Sequence, residues 1–270
     1  MKSTKILMTG AALAALTMLG ACATAPAGQE INDPYEATNR AIHGFNKQVD
    51  RTVLRPVGMA AASLPEGLRI PVSNFAENTA LPGHAINTLL QGDFGGAVQN
   101  SMRFLLNTTV GVLGLADPAT ALGLPAVESD FGATLAVWGA PEGAYLELPL
   151  LGPSTERDAL GRVVDFVLDP LDGLVIDDKV AGGALETYST SATIAELAID
   201  RGVYARTIDS VYESADSYAQ LRMAYLQNRR FALQQTNQVS VFLDPYADAE
   251  GTAAAPAATG AYINPYEDFQ

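Results

Sequence analysis

Soft ligands are scarce in this sequence. It holds one cysteine, Cys22, and two histidines, His43 and His84. A lone cysteine excludes an internal disulfide, and so few ligands cannot assemble a Cys/His metal cluster. Positive charge is also thin: 16 Lys and Arg stand against 30 Asp and Glu, a net charge of −14. That balance excludes nucleic acid, whose phosphates call for basic patches, and a polybasic grip on anionic lipids. Residues 104–116 carry no charge, yet they fall short of the roughly 20 apolar residues a spanning helix needs. Catalytic signatures are missing too. There is no Gly-x-Ser-x-Gly elbow, no phosphate-cradling Gly-x-x-x-x-Gly-Lys loop and no His-Glu-x-x-His. Asp130-Phe131-Gly132 has the letters of a kinase triplet but none of its companions. Ser154 and Asp158 have no histidine near them in sequence. We expect no enzyme and no cofactor.

What is present begins with a leader. Residues 1–21 read as a signal peptide: Lys2 and Lys5, an apolar run, then small residues. Loss of those two lysines takes the net charge from −14 to −16. Leu19-Gly20-Ala21-Cys22 resembles a lipobox, which would make Cys22 the lipidated N-terminus. Two or three acyl chains anchor firmly where one does so marginally. Ala23, where an Asp would resemble an inner-membrane retention signal, favours the outer membrane. Residues 22–31 form a polar tether, 32–243 the body, and 244–270 an Ala/Pro/Gly and acid-rich tail that cannot bury a core.

Within the body, apolar periodicity predicts helices. One starts after Asp33 as cap, with Tyr35, Thr38, Ile42, Phe45 and Val49 on one face, and ends at Arg55-Pro56. His43 reads as a structural or interfacial histidine. A second helix covers 65–80, followed by a packed connector over 78–92 that stops at Gly92. A third covers 93–109 with Phe94, Ala97, Val98, Met102 and Leu105 apolar. Arg103, the only cation between Arg69 and Arg157, calls for an ion pair with Asp117 or Asp130. Further on come a short helix over 130–138, an extended stretch over 145–148, and a helix capped by Thr155 and Asp158. Its apolar face is Leu160, Val163, Val164, Val167 and Leu168. A short helix capped by Thr193 and Glu196 runs to Ile199, and a long one fills 207–235.

The most informative stretch is 103–158. It is apolar yet broken by Gly and Pro every few residues, which fits short segments bending back on themselves, in a buried core or inside one membrane leaflet. It holds Arg-Phe-x-x-Asn-Thr-Thr-x-Gly from Arg103, Asp-Phe-Gly-x-Thr-Leu from Asp130, Trp138-Gly139, and Leu-Pro-Leu-Leu-Gly-Pro-Ser-Thr-x-Arg-Asp ending at Asp158. In order and spacing these resemble the MlaA (VacJ) family of bacterial outer-membrane lipoproteins. Ala136 and Ala144 depart from that pattern, replacing Gly and Pro. Other matching positions are Asn39, Arg40, Phe45, Asn46, Asn74, Phe75, Asn87, Asn107, Tyr145 and Arg157. The resemblance covers about 32–233.

That resemblance implies a mainly α fold: a single ring-like helical domain of short bent amphipathic helices, partly embedded in one leaflet. It implies a protein that sits beside a trimeric outer-membrane porin, takes misplaced phospholipid from the outer leaflet and passes it to a soluble periplasmic carrier. Which motif residues are structural and which line a passage stays open. A lipid-anchored structural adaptor without transport is the second reading. Residues 170–183 mix Gly173, Gly182 and Gly183 with Leu171, Leu174, Val175 and Ile176, and read as a gating hairpin or a plain connector.

Overall fold

The computed structural model describes residues 31–167 and 182–239, the side chains of 182–190 and 235–239 excepted. The leader, Cys22, the tail and the hairpin residues Leu171, Gly173, Leu174, Val175 and Ile176 lie outside them. The described chain is mainly helical. In order it forms α1 (Glu36–Val49), a π-helical turn (Asp50–Leu54), α2 (Arg55–Ala62), α3 (Glu66–Leu90), α4 (Phe94–Thr109) and the single turn α5 (Pro118–Ala121). Then come α6 (Phe131–Val137), β1 (Tyr145–Leu148), β2 (Gly152–Thr155), α7 (Glu156–Val167), α8 (Gly182–Val203), α9 (Ala205–Tyr212) and α10 (Ser217–Val239). β1 and β2 pair antiparallel, Tyr145 opposite Thr155 and Leu148 opposite Gly152. Among the described residues no helix is long and apolar enough to cross a membrane.

Several boundaries differ from the sequence expectation, each for a local reason. Asp33 does not cap α1; Tyr35 occupies that position without a side-chain bond. Arg55-Pro56 does not end the helix. The π turn leads straight into α2, where Pro56 sits in the first turn and its missing N–H costs nothing. Helix α3 absorbs both Pro71 and Pro82 and runs 25 residues through the expected connector. An interior proline costs about 3 kcal/mol locally; extensive packing of α3 on α4 and α8 outweighs it. Thr193 and Glu196 lie inside the 22-residue α8 rather than at a cap. The helix expected over 207–235 is split, because the Asp216 carboxylate accepts from the Ala219 amide at 3.0 Å and starts α10 afresh.

Other local signals hold. Asp93, Asp117 and Asp130 each cap a helix, accepting from Gly96, Thr120 and Ala133. Gly92 breaks the chain at φ +82°. Thr155 Oγ1 accepts from the Asp158 amide at 3.2 Å, but the Asp158 carboxylate turns away to α10, so only half of the expected capping box forms.

The helical faces are turned the opposite way from a water-soluble protein. In α1 the buried residues are Asn39, His43 and Asn46, while Tyr35 and Phe45 are exposed. In α4 they are Gly96, Ala97, Asn100, Arg103 and Asn107, while Phe94, Val98, Met102 and Leu105 face out. In α7 they are Arg157, Asp158 and Gly161, with Val163 and Val167 outside. Among the described residues, buried polar side chains outnumber buried apolar ones. Apolar exposure is continuous through the turn after α4: Val110, Val112 and Leu113 are 65–67% exposed. Val112 and Leu113 hold positive φ of 55° and 60°, strained for residues with a Cβ. Their tip is nonetheless closed by backbone bonds from Leu113, Gly114 and Ala116 to Thr108, Asn107 and Gly111. Irregular backbone that satisfies itself is what a lipid-facing loop requires.

Candidate functional site

One half of the polar interior is a knot around the β-hairpin. Asn39 donates to the Tyr145 carbonyl at 3.0 Å and accepts from the Glu147 amide at 3.0 Å. Asn46 does the same one strand-turn on, donating to the Leu148 carbonyl at 2.9 Å and accepting from Leu150 at 2.8 Å. The two asparagines therefore clip β1 to α1 as a missing third strand would. Tyr145, 1% exposed, donates to Glu147 at 2.6 Å and meets Tyr218 and Tyr225 edge-on. His43 lies between Glu147 and Ser217. Asp33 receives Asn39, Tyr218 and Arg222.

Charges in this half are matched. Arg229 bridges Asp130 (2.7 Å to each oxygen) and Asp158 (2.9 Å). Burial pushes the Asp158 carboxyl up, but Arg229 and the Tyr225 hydroxyl outweigh it and hold it below the usual carboxylate range. Arg40 grips Asp216 with two bonds of 2.9 Å, which depresses that carboxyl to about 2. Buried Asp50 is held by Arg201, which also reaches Asp209.

The other half contains cavities. One of about 330 Å³ lies between α3, α4 and α8, with Asn74, Glu77, Asn78, His84, Arg103, Asn107, Asp117, Glu128, Glu196 and Asp200 in its wall. A second, of about 500 Å³, runs past Thr88, Gln91, Ser129 and Asp130 toward Arg229. The two share His84, Ala126 and Glu128. Arg103 pairs with Asp117 at 3.0 Å, one of the two partners expected, and also donates to Thr120 and the Leu124 carbonyl. The Glu77 and Glu196 carboxyls are raised, the latter to about 7, by burial first and by neighbouring carboxylates second. A third, largely apolar groove of about 580 Å³ lies between α1, the hairpin and α7, with Tyr35, Ile42, Leu146, Leu160 and Val163 along it.

The motif residues divide accordingly. Asn74, Arg103 and Asn107 line the first cavity and Asp130 the second. Asn87 bonds Asp165 and Thr134, tying α3 to α6 and α7. Asn39, Arg40, Asn46, Tyr145 and Asp158 belong to the knot. Arg157, buried beside Asp158, borders the apolar groove. Phe45 and Trp138 are more than half exposed, Trp138 donating to the Leu90 carbonyl, and Phe75 is half-buried. Gly182 and Gly183 open α8 rather than a loop. Sequence reading missed Glu77, Glu128, Glu196 and Asp200. A signal existed: Glu77 and Glu128 lie in the long stretch where Arg103 is the only cation.

Residues 31–232 match the family model described as MlaA lipoprotein. An uncharacterized protein of Rickettsia felis is 37% identical over 144 residues, 53% of this chain and 57% of the relative. The chain thus spans little more than half of that relative's length. The Escherichia coli K12 protein called intermembrane phospholipid transport system lipoprotein MlaA is 31% identical over 84% of this chain and 88% of its own. A chain solved in work on the structural basis for maintenance of bacterial outer membrane lipid asymmetry superposes with a TM-score of 0.63 at 31% identity. That match covers 74% of this chain and 98% of the other.

Proposed function

The chain belongs to the MlaA lipoprotein family, and from that premise we propose that it takes mislocalised phospholipid out of the outer leaflet of the outer membrane and hands it to a soluble periplasmic carrier. The observation that carries this reading is the reversal of the helical faces: apolar residues cover the outside while Asn, Arg, Asp and Glu fill the inside. Such a body is at home among acyl chains, where exposed apolar side chains cost nothing and polar groups must find partners internally. The adjoining polar cavities give headgroups a path through that body. Transfer is passive in this mechanism. Headgroups move between polar walls while the tails stay in apolar surroundings, and no nucleotide or cofactor takes part. Acyl chains on Cys22 hold the protein at the membrane, and a trimeric porin beside it steadies its position.

The test is a deletion. Cells lacking the protein accumulate phospholipid in the outer leaflet, read by surface-restricted labelling, and re-expression clears it. Unchanged lipid asymmetry in the deletion, with other envelope proteins displaced, sinks transport and leaves the structural adaptor.

A further inference from the structure

The turn after α4 departs from what a water-exposed turn uses. At its φ values of 55° and 60° glycine carries no penalty, yet Val112 and Leu113 stand there, the first of them β-branched. Both side chains are exposed, together with Val110. In water the backbone strain and the apolar exposure are both unfavourable, and neither offsets the other. Among acyl chains the exposure costs nothing and the side chains offset the strain of the backbone that presents them. A protein surface could cover the same side chains, but two features favour hydrocarbon. The amides of Val110, Gly111, Leu113, Gly114, Leu115 and Ala116 all donate to carbonyls of the turn and its helix, so they ask nothing of a neighbour. Hydrocarbon imposes that condition and a protein partner does not. The turn also continues the exposed apolar side of α4, Phe94, Val98, Met102 and Leu105, and no charge interrupts residues 104–116.

The turn is rooted in the wall of a polar cavity. Asn74 Nδ2 donates to the Leu115 carbonyl at 3.2 Å, and the Gly114 amide donates to the Asn107 carbonyl at 2.8 Å. Gly114 lies so close to Asn78 that a Cβ there would collide with the asparagine side chain. Asn74, Asn78 and Asn107 all line the cavity of about 330 Å³ between α3, α4 and α8. An apolar tip and a polar space are thus joined through three asparagines.

We propose that the turn at 110–115 is a wedge that enters the acyl chains beside this cavity and loosens the adjacent lipid, lowering the barrier to drawing its headgroup into the polar path. The inference rests on reading the cavity as a headgroup path. The uncharged stretch is too short to span a bilayer, so chains around the inserted tip must bend to fill the space beyond its end. Bent chains keep fewer close contacts with their neighbours, and a lipid with fewer contacts leaves more readily.

The experiment has two arms, both on the full-length protein. In cells, a photoreactive benzoylphenylalanine replacing Leu113 is expected to give phospholipid adducts on illumination. Adducts with protein alone, or none, would overturn the inference. In vesicles of phosphatidylethanolamine and phosphatidylglycerol, cyclodextrin extracts a pyrene-labelled phosphatidylethanolamine, read as loss of excimer. At equal protein incorporation, Val112→Gly/Leu113→Gly should slow that extraction about tenfold relative to the parent, a change of about 1.4 kcal/mol in the barrier to withdrawal. The same variant should melt no lower than the parent in neutral detergent, because glycine relieves the strain. Extraction at the parent's rate would remove the loosening role, and a lower melting temperature would make the two side chains part of the fold's support instead. These outcomes are separate from the deletion experiment. A deletion that leaves lipid asymmetry unchanged removes transport while lipid adducts at the tip still stand, and the reverse is equally readable.

Discussion

The knot around the hairpin and the cavity under α8 are built from the same residue types and end in opposite states. In the knot, acids meet cations or hydroxyls: Asp158 has Arg229 and Tyr225, Asp50 has Arg201, and Asp33 has Arg222 and Tyr218. In the cavity, Glu77, Glu128, Glu196 and Asp200 have no such partner, and burial first, then neighbouring carboxylates, raises the Glu77 and Glu196 carboxyls. Elements and distances in the knot are over-determined, as a frame requires. The cavity carries an unfavourable arrangement that the frame must sustain. Local energetic cost that folding alone does not explain marks a functional site more reliably than polarity itself.

The largest effect should come from breaking the knot. Arg229→Met removes the cation shared by Asp130 and Asp158 and leaves Asp158, 4% exposed, with only Tyr225 and a marginal contact to Arg157. Truncating one partner of a buried pair costs about 3–5 kcal/mol. Thermal and denaturant unfolding in detergent would read it. A loss below about 1 kcal/mol would make the pair no better than an exposed one and erase the contrast with the cavity.

A smaller loss is expected where the frame supports the acid-bearing helix. At the crossing of α2 and α8, Gly58 and Gly202 face each other, and a Cβ on Gly202 would collide with the Gly58 carbonyl. Gly202→Ala should therefore cost about 1–3 kcal/mol, the usual range for overpacking. Full stability in Gly202→Ala would mean that the helices separate freely there and that the frame does not set the cavity's width.

Periodicity found most helices and the hairpin's first strand, but it left open which side of them is buried. Phe94, Val98, Met102 and Leu105 mark an apolar side of α4, but an apolar stripe carries no mark of the medium it faces. The corrective signal was in the polar residues. Asn39, His43, Asn46 and Asp50 recur at i, i+4, i+7 and i+11, and Asn100, Arg103 and Asn107 at i, i+3 and i+7. An asparagine stripe at helical spacing opposite an apolar one is a buried face when the outside is lipid. The Arg103–Asp117 pair was legible because a lone cation needs compensation. Arg229 with Asp130 and Asp158 was not, since its partners lie 99 and 71 residues away. The acid-lined cavity was illegible for the same reason: α3, the loop before α6, and α8 meet only in the fold.

The smallest effect, and the one that sharpens the contrast, is a gain in stability. The Glu196 carboxyl is raised to about 7, first by burial and then by Glu77, Asp200 and Glu128. Its folded pKa therefore lies above the ordinary glutamate value near 4.3. A carboxyl raised in this way favours the folded state fully below its unfolded pKa, and that contribution is lost as pH rises through about 7. Glu77 shifts in the same direction and adds to the trend. Asp158 and Asp216, both depressed, stay ionised across this window. Glu196→Gln keeps the shape and removes the titration. The melting temperature of the variant minus that of the parent should be positive at pH 8, smaller at pH 6 and close to zero only near about pH 4, below the unfolded pKa. Taking this difference cancels the two histidines, which both proteins share. Partial exposure of Glu196 keeps the gain modest through solvent screening. A variant that melts below its parent at pH 8 would mean that the carboxylate there is stabilising. The cavity would then be a second, concealed part of the frame, with its acids already paired.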